Sequence, residues 1–178
     1  MMVLGVDPDT LNTAFATWDG SGPGKVWVAH VKRTKARTIA HTAVAVRQLQ
    51  REIPSVDVVA IEGQQIDGRR TGKGDLFTLA HVTGICIAEC SRRHQHAEIL
   101  VPIPFEWKKS VAKHAMQARL YDSLGWGYEI RGKKTARSDN RWSVPVHAPS
   151  KFQHVTDTQW KHVGDALLLA RWAHDQNS

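Results

Sequence analysis

The sequence predicts a single α/β domain, residues 1–178, on a mixed sheet of three antiparallel strands followed by parallel ones, flanked by helices. Three observations support that expectation. Alternating, strand-like runs fill the first third of the chain. After them, β-branched apolar runs take turns with stretches of helical periodicity. The 178 residues are 42% apolar, enough for one hydrophobic core.

Residues 3–6 form a short apolar run that stops at Asp7-Pro8-Asp9-Thr10. Residues 13–18 and 25–31 alternate on either side of Asp19-Gly20-Ser21-Gly22-Pro23-Gly24, a strong turn, which makes a three-stranded meander. Residues 38–51 carry Ile39, Ala43, Val46 and Leu49 at helical spacing, and Pro54 closes that helix. Residues 56–61 are almost continuously apolar, as in a strand buried on both faces, and Glu62 ends them. A polar loop, 63–74, leads to Asp75, a plausible N-cap for a long helix over 76–92. Residues 98–101 read as a strand, Pro102 and Pro104 bound a loop, and one helix is predicted over 106–124. Residues 125–158 are irregular and carry the densest basic run. The last helix, 158–174, turns Val163, Ala166, Leu167 and Ala170 inward.

Lys and Arg number 24 against 17 Asp and Glu, a formal charge of +7. Its distribution suits a polyanionic partner. Arg131, Lys133, Lys134, Arg137 and Arg141 crowd one stretch with Asp139 opposing them. Lys108, Lys109, Lys113 and Arg119 form a second group; Arg69, Arg70 and Lys73 form a third. The seven tryptophans read mainly as packing residues, with stacking on bases as the lesser role. No apolar stretch is long enough to span a membrane, and residues 1–7 lack the marks of a signal peptide, so a cytoplasmic protein is expected. Two cysteines, Cys86 and Cys90, exclude a disulfide scaffold. They read as small buried residues, the alternative being a metal site with His81 or His94.

Two carboxylates follow apolar strands directly, Asp7 and Glu62. Strands of an α/β sheet present their C-terminal ends at a ligand crevice, so neighbouring strands would bring the two together. On the final helix His162 and Asp165 are three apart and share a face. Singly, these features read as a turn residue, a solvated strand end and a surface pair. Jointly, three carboxylates and an imidazole suit Mg²⁺ or Mn²⁺ rather than structural zinc, and a shared carboxylate suits two ions flanking a phosphate.

In this order the motifs resemble those of the RuvC-type Holliday junction resolvases of the RNase H-like nuclease superfamily. Leu4-Gly5-Val6-Asp7-Pro8-Asp9-Thr10 is similar to the family's opening GIDPG(S/T), and Ala60-Ile61-Glu62 to its AIE. Pro104-Phe105-Glu106-Trp107-Lys108-Lys109-Ser110-Val111 falls at its basic helix start, and His162-Val163-Gly164-Asp165-Ala166-Leu167 at its closing (D/H)xxDAL. The resemblance spans the chain outside residues 125–158. It implies an RNase H-like fold, metal-ligand and catalytic roles for Asp7, Glu62, His162 and Asp165, and phosphate contacts at Lys108 and Lys113. It also implies a homodimer, paired in part by the helix over 76–92 with Gly84 allowing close approach.

The implied activity is resolution of four-way DNA junctions by paired symmetric nicks, using two Mg²⁺ or Mn²⁺ ions and leaving 5′-phosphate and 3′-hydroxyl ends. No small-molecule cofactor is expected. The basic clusters are candidate DNA contacts, and residues 125–158 read as either an added DNA-binding arm or a solvated loop. Two departures stand out. Asp9 replaces a glycine, a change that left-handed backbone would tolerate in Asp, and Gln65 stands where an aromatic is common. They tilt the reading toward a bacteriophage member. Rival readings are a related nuclease of flaps, forks or RNA–DNA hybrids, and a non-catalytic binder of branched DNA. A phosphotransferase of actin-like architecture would need a second domain that this length does not supply.

Overall fold

The computed structural model describes residues 1–31, 39–63, 73–135 and 139–178, with side chains outside 73–76. Five strands, β1 (Val3–Asp7), β2 (Asn12–Trp18), β3 (Pro23–His30), β4 (Val58–Ile61) and β5 (Glu98–Leu100), form a sheet in the order β3-β2-β1-β4-β5. The meander is antiparallel. β4 then joins β1 in parallel, with Val3 opposite Val58 and Val6 opposite Ile61, and β5 joins β4 in parallel. Every residue of β1 and β4 is buried, as their unbroken apolar runs require of strands covered on both faces.

Pleating sends successive side chains to opposite layers. Leu4, Val6, Val59 and Ile61 pack with Val46, Val82, Cys86 and Cys90, which come from α1 (Ile39–Gln50) and α2 (Lys73–Arg93). Val3, Val58 and Ala60 face the other way, against Val163, Ala166, Leu167 and Ala170 of α5 (Asp157–Asn177), the inner face expected of the last helix. Gly5 makes this second contact possible. A Cβ there would strike the carbonyl oxygen of Ala166 and lie 2.7 Å from the amide nitrogen of Ala170. Both are backbone atoms and cannot swing aside. Gly5→Ala is therefore expected to destabilise the protein by about 3 kcal/mol or more in denaturant titration, and a loss under about 1 kcal/mol would contradict this packing.

Several expectations need correction. The helix predicted over 106–124 is two helices, α3 (Pro104–Lys108) and α4 (Lys113–Ser123), because the chain turns at Lys109, whose φ is 52°. Asp75 is not an N-cap; it lies inside the first turn of α2. Ile39 points outward at 40% exposure, and the buried face of α1 is Thr42, Val46 and Gln50. Residues 125–158 are more regular than expected. They contain an antiparallel ribbon, β6 (Tyr128–Arg131) and β7 (Trp142–Pro145), and a 3-10 turn at Ser150–Phe152.

The ribbon's base is anchored by an aromatic cluster. Trp126 packs 5.4 Å from Phe152 and 6.4 Å from Trp160, ring centre to ring centre, and Tyr121 lies 6.0 Å from Trp126. Trp18, Trp107, Trp126 and Trp160 are buried, as packing residues should be. Cys86 and Cys90 are buried and unpaired. Burial pushes the Cys90 thiol up to about 12, and its sulfur accepts a hydrogen bond from Gln50. Among the described residues they join no metal-binding group. No helix among those residues is long and apolar enough to cross a membrane.

Candidate metal centre

β1 delivers Asp7 at its last position, and Glu62 follows β4 directly. The Glu62 amide donates to the Val6 carbonyl at 2.9 Å, continuing the parallel ladder by one step, so both carboxylates leave the sheet at the same end. α5 crosses β1 closely because of Gly5, and that crossing brings Asp165 over the strand ends. One oxygen from each of Asp7, Glu62 and Asp165 lies within 4.8 Å of the others. All three residues are buried.

Two lysines reach into this cluster, both set by the break between α3 and α4. Lys108 Nζ is 2.7 Å from Glu62 Oε1 and 2.8 Å from Asp165 Oδ2. Lys113 Nζ is 2.7 Å from Asp165 Oδ2. Burial opposes the Lys108 charge, but Asp165, Glu62 and Asp7 outweigh it and hold the ammonium above its ordinary range. Burial pushes Glu62 up to about 8 against the pull of Lys108, with Asp7 and Asp165 adding to the rise. Burial would raise Asp7 too, but the His162 hydrogen bond and the charge of Lys113 overcome it and hold Asp7 well below the usual carboxylate range. Crowded carboxylates thus differ sharply in proton affinity, as expected where like charges share a dry site.

His162 approaches Asp7 and stands outside the carboxylate trio. Its Nδ1 is 2.8 Å from Asp7 Oδ2. An ionised Asp7 only accepts, so Nδ1 carries the proton. Its Nε2 lies 4.0 Å from Asp9 Oδ1. Asp9 holds the β1–β2 turn differently from the expectation. It does not adopt a left-handed conformation; its carboxylate accepts the amides of Leu11 and Asn12 at 2.8 and 3.0 Å.

Sequence reading missed Gln117. This fully buried side chain on α4 donates from Nε2 to Asp165 Oδ1 at 2.9 Å and accepts the Ser143 amide of β7 at 2.9 Å. Its one legible sign is a polar residue on a helix face whose other buried members are Ala118, Leu120 and Tyr121.

The remaining basic residues lie elsewhere. Lys109 is exposed at the end of α3, and Lys133 and Lys134 are exposed beyond β6. Arg131 pairs with Glu129 and Asp157, and Arg141 with Asp139. Lys73 begins α2. Arg69, Arg70, Arg137 and Gln65 lie outside the described residues.

No protein-family model and no curated protein matches the sequence. Among solved structures, the chain is similar to RuvC from T. thermophilus in complex with a Holliday junction substrate, at 14% identity and a TM-score of 0.61, covering 99% of this chain and 96% of that one. The chain has the RuvC fold. A second structure of Thermus thermophilus RuvC gives 17% identity and a TM-score of 0.55, over 99% and 97% of the two chains. The RuvC fold accounts for the mixed sheet flanked by helices that the sequence predicts.

The donor set suits a hard divalent cation. Carboxylate oxygens converge from two strand ends and a helix, and the Lys108 ammonium already holds a positive charge between Glu62 and Asp165. The same cluster is poorly suited to soft, thiolate-preferring metals, because its ligand atoms are carboxylate oxygens.

Proposed function

We propose that the protein is a divalent-metal-dependent, structure-selective endonuclease that resolves four-way DNA junctions by paired symmetric nicks. The observation that carries this reading is the convergence of Asp7 and Glu62, at the ends of β1 and β4, with Asp165 from the middle of α5. The RuvC fold and the exposed lysines of the ribbon support it.

Asp7, Glu62 and Asp165 would be the ligands, and His162, expected from the sequence to be a fourth, would act on the site through its hydrogen bond to Asp7. Two Mg²⁺ or Mn²⁺ ions held there would supply Lewis-acid activation of a water near neutral pH and charge stabilisation for the departing 3′ oxygen. His162 fixes the orientation of Asp7 by its hydrogen bond. Lys108 and Lys113 hold their ammonium groups on the carboxylates and can turn to a DNA phosphate at the same place, an exchange of one anionic partner for another. Hydrolysis leaves 5′-phosphate and 3′-hydroxyl ends. Lys109, Lys133, Lys134 and the arginines of the ribbon offset backbone charge along the arms. Recognition rests mainly on junction shape and phosphate position.

A homodimer supplies the second nick. The outer face of α2 is its proposed pairing surface, with Phe77 65% exposed and open space above Gly84.

The test is cleavage of a mobile four-way junction, a fork and a linear RNA–DNA hybrid with and without Mg²⁺, mapping every nick. Paired, symmetric, Mg²⁺-dependent nicks on the junction are expected. Equal or better cutting of the hybrid would overturn junction selectivity, and binding without cutting would leave only a branched-DNA binder.

A further inference from the structure

We infer that Gln117 is a positioning residue that ties the β6–β7 ribbon to Asp165, so that ribbon placement and cation binding at the carboxylates are coupled. The inference rests on the metal-centre reading above and extends it to a residue with no ligand role of its own.

The bonds form one continuous path. The Ser143 amide, on the buried stretch of β7, donates to Gln117 Oε1 at 2.9 Å. Gln117 Nε2 donates to Asp165 Oδ1 at 2.9 Å and to the Lys161 carbonyl on α5 at 3.1 Å. Asp165 Oδ2 faces Lys108 and Lys113, so Gln117 holds one oxygen of the carboxylate and leaves the other toward the cluster. Ser143 is also fixed at its hydroxyl, which donates to the His114 carbonyl of α4 at 2.8 Å.

A second observation shows that space is kept for this contact. A Cβ on Gly164, beside Asp165, would lie 2.8 Å from Gln117 Nε2 and 2.5 Å from the Tyr121 hydroxyl. Glycine at this position in α5 costs helix stability relative to alanine, yet it lets the amide approach the carboxylate. The Gly164 of the His162–Asp165 motif thus acquires a role separate from the ligands.

Orienting partners of this kind tune ligands strongly, and losing one typically costs about 10–100-fold in metal affinity. Coupling is reciprocal: whatever cation binding does to Asp165 is felt at Ser143, and the reverse.

The test is an NMR titration of the intact ¹⁵N-labelled protein with Mg²⁺, without DNA, following the amides of Gly63 and Ser143. In the wild type both are expected to move with one midpoint. In Gln117→Met the Gly63 midpoint should weaken about 10–100-fold, and the Ser143 amide should stop responding to the ion. A merely space-filling role would leave that response in place. Gly164→Ala keeps the glutamine but crowds it off Asp165, and should weaken the midpoint in the same direction. It provides the same readout if the methionine variant fails to fold. An unchanged midpoint in a folded variant, beside a saturable wild-type response, would overturn this inference alone. No saturable response at Gly63 in the wild type would overturn the metal-centre reading and this inference with it.

Discussion

Asp7→Asn is expected to lower the single-turnover rate of junction cutting by roughly 10³-fold or more, equivalent to about 4 kcal/mol of transition-state stabilisation. Junction binding should persist or tighten. The substitution preserves shape and leaves an oxygen for the His162 bond, which now measures 2.8 Å, while removing a charge from a site where three carboxylates crowd together. The lost charge is firmly maintained, because His162 and Lys113 together overcome the burial of Asp7. With one anion fewer, a DNA phosphate meets less repulsion, so anisotropy measurements should show equal or higher affinity. Cutting at the wild-type rate would remove Asp7 from the reaction.

Salt should change binding by a factor as large as that substitution changes the rate. If the protein neutralises roughly 6–10 phosphates, its junction affinity falls by about 10³–10⁵ between 50 and 200 mM salt. The ribbon makes the expectation specific. Lys133 and Lys134 are exposed, whereas Arg131 and Arg141 are already engaged by carboxylates. Replacing Lys133 and Lys134 with alanine should make the log–log salt slope shallower by about 2, with little change in the cutting rate of bound junction. An unchanged slope would mean that the ribbon does not touch the phosphate backbone.

The architecture was legible wherever hydrophobic pattern and period agreed. The continuous apolar runs of β1 and β4 announced strands covered on both faces, and their parallel pairing brings Asp7 and Glu62 to one end of the sheet. The inner face of α5 followed directly from its spacing. Less was visible where local signals were weak. Nothing between Ser110 and Ala112 breaks a helix by composition, so periodicity ran across the turn at Lys109. That turn decides where Lys108 and Lys113 point, and no count of basic residues could show that both ammonium groups lie against carboxylates. The ribbon was hidden by its content of charged residues, glycines and prolines, since its stability comes from Trp126 and its aromatic neighbours rather than from alternation. Gln117 is the clearest case: its function lies in three hydrogen bonds to distant segments, and a single glutamine on a helix carries no pattern.

On the proposed function, Asp7, Glu62 and Asp165 would cage a divalent cation. Anomalous diffraction from crystals soaked in Mn²⁺ tests it most directly. The expected result is strong density about 2.1 Å from oxygens of all three carboxylates, with Lys108 turned away from Glu62. A map with no anomalous peak there, and Lys108 still seated between Glu62 and Asp165, would contradict the account.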